Sequence, residues 1–412
     1  MSLLIRNARI LTLSGERGPR RGKALGELGI IPQGDLLVSD GLVASVGPKL
    51  EAPSGAEVVD ARGRVLMPGF IDCHTHACWA GDRLEEWGQR LRGVPQQEIL
   101  KSGGGIHATV KAVREATKKQ LAAGLRSRLA QMLREGTTTV EIKSGYGLST
   151  EAELKMLRAI VRAGAEWAGT VVPTALLGHA FEGDPDDYAR MVVKEMLPEV
   201  SREFPEITVD AYCEKGAWSL EACVKLFEKA RKHHPLRVHA DQFTSLGMVP
   251  EAIRLHARSV DHLEASTKND LVALAQSPTI GVILPCSGFH TDGRFAKAGF
   301  FVDQGGIIAL ATDCNPATAP SHSMPSAISL AVRFCGLTPA EAIAAATVNA
   351  AAVLGLKDRG TLETGQRADL ILLRHTDERL LAHEFGGNPV ELVVSAGKVV
   401  VRAPQEVAQV ED

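Results

Sequence analysis

Eight times from about residue 64 onward, the chain repeats one pattern: a short apolar run rich in β-branched residues, a polar or glycine-bearing corner, then a segment of helical period. The runs are RVLMPGFIDCHTH, TTTVEIKSGYG, TVVPTALLGHA, ITVDAYCEKGAW, LRVHADQF, ARSVDHLE, TIGVILPCSG and IIALATDCNP. Between them, stretches such as EAELKMLRAIVRAGAEW and SLEACVKLFEKARKH place apolar residues at i, i+3, i+4 and i+7, the stripe of a helix that packs on a sheet. Strands separated by helices pair in parallel, and eight such units over roughly 250 to 300 residues close into a (β/α)8 barrel more readily than they spread into an open doubly wound sheet. The expected fold class is therefore α/β, with the barrel spanning residues 63–360. The ends read differently. LLIRNARILTL, DLLVSDGLVASVG, ADLILLRHT and VELVVSAGKVVVR alternate like antiparallel strands. Neither end could form a stable sheet alone, so residues 1–62 and 361–412 are expected to combine in a small β-sandwich beside the barrel.

A barrel of this kind builds its active site at the C-terminal ends of its strands, so chemistry-bearing residues should gather at the corners after the runs. They do. The first run ends in His74 and His76, the second in Tyr146, the third in His179, the fifth in His239, the sixth in His262 and the eighth in Asp313. Positions i and i+2 of a strand project from one face, so His74 and His76 can grip one ion. Together with His239 and Asp313 they make a nitrogen- and oxygen-rich set suited to Zn²⁺ or Fe²⁺. A metal lowers the pKa of bound water from ~15.7 toward ~7. His262, Asp313 and Gln242 are the candidates for carrying the chemistry: His262 and Asp313 move protons, while His179 and Gln242 hold the polar edge of a small ring. Arg83 offers a planar fork to a carboxylate, and Tyr146 a hydroxyl to the same anion. The other histidines fall in helices, loops or terminal strands, where solvated or locally bonded roles are expected; His290 and His322 lie in loops after the seventh and eighth runs. Neither a G-x-S-x-G elbow nor a cysteine–histidine arrangement of a known kind occurs, so the attack is expected to come from water.

Between the first two runs lies a long connection that reads as a loop followed by one extended helix or two. Its triple glycine, Gly103 to Gly105, lacks both phosphate-loop spacings and reads as a hinge. A formal net charge of −3 gives no field to attract polyanions, which argues against nucleic acid as a partner. The early apolar patch is broken by charges before it reaches signal-peptide length, and no segment approaches the ~18 apolar residues of a membrane span. A cytoplasmic protein is expected. Its seven cysteines are scattered without a C-x-x-C pair, so buried free thiols are expected in place of a disulfide framework.

PGFIDCHTH, the eight βα units, HADQF, DHLE and ATDCNP resemble the amidohydrolase superfamily of metal-dependent hydrolases. RLRGVPQQEILKSGGGIHATVKAVREAT, TTTVEIKSGYGLSTEAELKMLRAI, VDHLE and LTPAEAIAAATVNAAAVLGL are more specifically similar to the imidazolonepropionase family, and the likeness spans nearly the whole barrel. The resemblance implies hydrolysis of 4-imidazolone-5-propanoate to N-formimidoyl-L-glutamate in histidine degradation, with one Zn or Fe ion on His74, His76, His239 and Asp313. It implies that Arg83, Tyr146, His179, Gln242, Asn315 and Thr318 contact a small substrate with a carboxylate tail, and that the enzyme is a homodimer. The chain departs from the family pattern at Ala317, at Gln96 and over 286–299. The rivals are another cyclic amidohydrolase or an aminohydrolase acting on a related heterocycle, and a non-catalytic scaffold relative. Lys215 lies where relatives with two metals carry a bridging lysine, although its CEKGA setting favours one ion.

Overall fold

The computed structural model describes residues 2–15, 18–94, 98 and 104–403. The first five strands are β1 (Ser2–Leu11), β2 (Ile30–Ser39), β3 (Leu42–Gly47), β4 (Glu57–Asp60) and β5 (Val65–Pro68). The next eight are β6 (Phe70–Asp72), β7 (Thr137–Lys143), β8 (Thr170–Gly178), β9 (Thr208–Cys213), β10 (Leu236–Ala240), β11 (Ser259–His262), β12 (Ile280–Ile283) and β13 (Ile308–Leu310). All eight pair in parallel, each with the next, in the order expected of a (β/α)8 barrel. The last three, β14 (Leu370–Leu373), β15 (Val390–Ser395) and β16 (Lys398–Arg402), return to β1–β5 and complete a separate mixed sheet. That sheet has its own core, in which Ile5, Ile10, Leu36 and Leu66 meet Leu370, Leu392 and Val394.

RVLMPGFID, which reads as one strand in the sequence, is two strands. Val65–Pro68 lies antiparallel to β14, with Met67 opposite Ile371. At Gly69 the chain changes partner, its N–H donating to the Asp369 carbonyl at 3.0 Å while Phe70 N–H donates to the Gly136 carbonyl at 2.9 Å. Only glycine fits at this crossing, because a Cβ there would overlap the Thr138 side chain. The long connection after β6 holds three helices among the described residues: Leu84–Leu91, Ile106–Glu115 and Lys118–Arg134. The last two are separated by a capping box in which the Thr117 hydroxyl accepts from Gln120 N–H and the Gln120 side chain accepts from Thr117 N–H, so a new helix starts there. Gln96 and Gly103 lie outside the described residues.

The barrel closes through the residues that the sequence marks for chemistry. Beyond the ends of β6 and β13, Thr75 bridges Cys314 in parallel, His76 N–H donates to the Cys314 carbonyl at 2.9 Å and Asp313 N–H to the His74 carbonyl at 3.1 Å. The buried Asp72 carboxylate accepts from Thr312 N–H and from its hydroxyl at 3.1 and 2.5 Å. The seam therefore fixes the backbone of His74, His76 and Asp313 before any ligand arrives.

All seven cysteines are free and buried. Burial pushes the thiols of Cys78, Cys286 and Cys335 up to about 12. Since the thiolate is the nucleophile, native protein at pH 8 should show no fast-reacting thiol toward a chromogenic disulfide, and all seven should react in denaturant. A fast native phase would contradict this burial.

Candidate metal centre

His74 and His76 stand just past β6, His239 near the end of β10 and Asp313 just past β13. One nitrogen from each histidine lies within 4.8 Å of the other two. His239 Nε2 is 3.2 Å from His76 Nε2, and Asp313 Oδ1 is 3.5 Å from His76 Nε2 and 3.7 Å from His74 Nε2. Tetrahedral ligands about 2.1 Å from one ion stand about 3.4 Å apart, so the three imidazoles fit one cation, while Asp313 borders His74 and His76 without joining the group that converges within 4.8 Å. Tautomers agree. His74 Nδ1 donates to Asp261 at 2.7 Å and His239 Nδ1 to Asp210 at 3.1 Å, which leaves both Nε2 atoms as lone-pair donors aimed into the pocket. His74 Nε2 is buried with no hydrogen-bond partner, an arrangement a cation would satisfy.

Burial, reinforced by neighbouring cations and imidazoles, holds His74 and His76 well below the usual histidine range, so both are neutral and able to ligate. Burial likewise pushes His179 down to about 3. It raises the Asp313 carboxyl to about 7. His262 goes the other way: burial would discharge it, but the carboxylate of Glu264, 3.4 Å from Nδ1, together with Asp313 and Asp261 outweighs that burial and raises its pKa. His262 also sits at a φ of 92°, an uncommon conformation for a bulky side chain and one that collects at functional sites.

Beneath the histidines lies a buried charge network that the sequence reading did not single out. Lys143 Nζ bonds Glu141 at 2.7 Å and Asp210 at 2.8 Å, while Arg237 bonds Asp261 at 2.6 Å and Glu141 at 3.2 Å. Burial alone would discharge Lys143, but its carboxylates outweigh that and its pKa is raised. These two cations and three carboxylates leave one net negative charge behind neutral imidazoles, which favours a cation in front of them. The signal was present: Glu141-x-Lys143 and Arg237-x-His239 put ionisable residues at period two in strands buried on both faces.

The residues read as substrate contacts differ in what they leave free. Tyr146 packs 5.1 Å from the His179 ring and 6.0 Å from His76. Its loop is held by the buried Glu153, which accepts from the N–H groups of Gly145, Gly147 and Leu148 at 2.7, 2.6 and 3.0 Å. His179 stacks on His76 at 5.0 Å, with Nδ1 3.0 Å from the Gly145 carbonyl. Gln242 accepts from the Tyr212 hydroxyl at 2.6 Å and donates to Ser287 at 3.3 Å; Tyr212 was not singled out. Asn315 bonds the Asp313 carbonyl, the Thr318 hydroxyl and the N–H groups of Ala317 and Thr318, so its amide shapes the turn carrying Asp313. Ala317 keeps a negative φ there and strains nothing. Arg83 is not a free fork, since Glu86 already engages it. Lys215 is exposed, whereas Lys143 is the lysine at the site. Of the remaining histidines, His234 is satisfied by Ser201 and Ile207, and His322 faces Glu135 at 3.2 Å.

The Amidohydrolase family model matches residues 57–97 and 96–401. Imidazolonepropionase from Deinococcus radiodurans is 45% identical over 381 residues, covering 92% of this chain and 95% of that one. The chain belongs to the imidazolonepropionase family. Two other imidazolonepropionases extend the likeness: that of Herpetosiphon aurantiacus is 42% identical, covering 95% of each chain, and that of Geobacillus kaustophilus 40% identical, covering 97% of this chain and 98% of that one. Among solved structures, a triazine hydrolase variant superposes with a TM-score of 0.74 at 17% identity, covering 97% of this chain and 95% of that one. An adenosine deaminase from Xanthomonas campestris with bound zinc gives a TM-score of 0.68 at 20% identity, covering 96% and 92%. These two share the fold of the imidazolonepropionase family.

Proposed function

We propose that the chain hydrolyses the lactam C–N bond of 4-imidazolone-5-propanoate, giving N-formimidoyl-L-glutamate in histidine degradation. The observation that carries this reading is the 40 to 45% identity, over nearly the whole chain, to proteins named imidazolonepropionase. One Zn or Fe ion per chain is held by His74, His76, His239 and Asp313. Such an ion supplies Lewis-acid chemistry, polarising the ring carbonyl and acidifying water. A single ion is supported by Lys143, whose ammonium is already bonded to Glu141 and Asp210 and so does not bridge a second one.

The chain's own groups do the rest. Arg83 and Tyr146 receive the propanoate, while His179 and Gln242 face the ring, and Asn315 and Thr318 shape its floor. Water adds to the ring carbonyl carbon, Asp313 takes its proton with His262 beside it, and the nitrogen receives that proton as the C–N bond breaks. Buried free thiols fit the reducing cytoplasm. A homodimer is supported by the exposed Phe289, Phe334 and Phe385, the first and last with ring centroids 6.1 Å apart.

The test is turnover of 4-imidazolone-5-propanoate by purified protein beside a panel of cyclic amides, aminopurines and aminopyrimidines. Preference for the imidazolone, read as kcat/KM, is expected. A higher kcat/KM on any other member of the panel would overturn the assignment.

A further inference from the structure

Glu86 is nine-tenths buried, and both oxygens of its carboxylate accept hydrogen bonds. Oε2 accepts from Arg83 Nε at 2.7 Å, from Arg83 Nη2, and from the N–H of Gly105 at 2.8 Å; Oε1 accepts from Arg90 Nη2 at 2.7 Å. Arg83 thereby has two of its three nitrogens committed. Nη1 reaches only the Thr109 hydroxyl, at 3.3 Å, among the described residues. The cluster of two arginines and one carboxylate carries one net positive charge. Although burial pushes the Glu86 carboxyl up, Arg83 and Gly105 outweigh it, so the group stays ionised.

The geometry points to Glu86 as a positioning residue that locks the Arg83 guanidinium and presents its Nη1 edge to the carboxylate tail of the substrate. This role rests on the reading given under Proposed function. An arginine side chain free in solvent has several torsions to freeze when it meets an anion, and that cost falls when the fork is already held. Glu86 therefore aids the anion it superficially resembles. The competing physical outcome is that it repels or mimics the tail, in which case its removal would raise the local charge from one to two and tighten binding.

Glu86→Gln separates the two, because it keeps shape and removes charge. Wild type and variant are assayed on 4-imidazolone-5-propanoate and on the same ring bearing a methyl group in place of the propanoate. KM for the propanoate substrate should rise about tenfold or more in the variant, the scale of a lost charge-assisted contact, with kcat within about twofold. KM for the methyl compound should stay unchanged. A fall in KM for the propanoate substrate, or equal losses on both compounds, overturns the positioning role. Glu86→Asp, which keeps the charge and withdraws it by one methylene, carries the same comparison should Glu86→Gln not fold. No turnover of the propanoate substrate by wild type refutes the functional reading, whereas wild-type turnover with unchanged selectivity in the variant refutes the role of Glu86 alone.

Discussion

Replacing His239 with alanine should lower kcat/KM by about 10³-fold or more and strip the protein of bound metal, while leaving it folded. The size follows from what the residue faces: its Nε2 is one of three imidazole nitrogens converging within 4.8 Å, and losing one leaves a site unable to enclose a cation. The fold should survive because Asp210, which would lose its imidazole, keeps Lys143 as a partner at 2.8 Å. Circular dichroism and metal content checked beside kcat/KM would separate loss of metal from loss of structure. His256→Ala, at an exposed helix-end position, is the control and should leave both unchanged. Asp261→Asn should show a milder form of the same defect, about 10- to 100-fold in metal affinity, because it orients His74 without facing the ion. Full activity in His239→Ala would remove that residue from the centre.

The second large effect concerns stability. Lys143→Met should cost about 3–5 kcal/mol, because it leaves the carboxylates of Glu141 and Asp210 buried with their shared cation gone. Arg237 would still face Glu141 at 3.2 Å, so the loss is partial and not a collapse of the barrel. Combining Lys143→Met with Glu141→Gln should recover part of the loss, the signature of coupled neighbours. Urea unfolding reads both. A Lys143→Met variant as stable as the parent would mean that the network is not charged in the folded protein.

The barrel was legible because each of its strands leaves an apolar run, and each crossover helix leaves a 3.6-residue stripe, so eight repeats can be counted without knowing any contact. The candidate ligands were legible for a related reason, since a histidine that ends such a run lies at the catalytic face of a parallel barrel. What escaped was information carried by pairing. RVLMPGFID changes partner sheet at Gly69 without any change in hydrophobicity, and only the near-contact of Thr138 explains the glycine. The buried network escaped because Glu141 and Lys143, Asp210 and Arg237 stand on three different strands, and only the closed barrel brings them together. Arg83 read as a free cation although R-x-x-E places Glu86 one helical turn away, and the structure shows that partner taken up.

The most direct test of the central claim is a crystal structure of the zinc-loaded protein with anomalous scattering recorded at the zinc edge. One ion should appear, with nitrogens of His74, His76 and His239 and an oxygen of Asp313 at about 2.0–2.2 Å. An ion more than about 4 Å from His239 or Asp313, or a second ion bridged by Lys143, would contradict it.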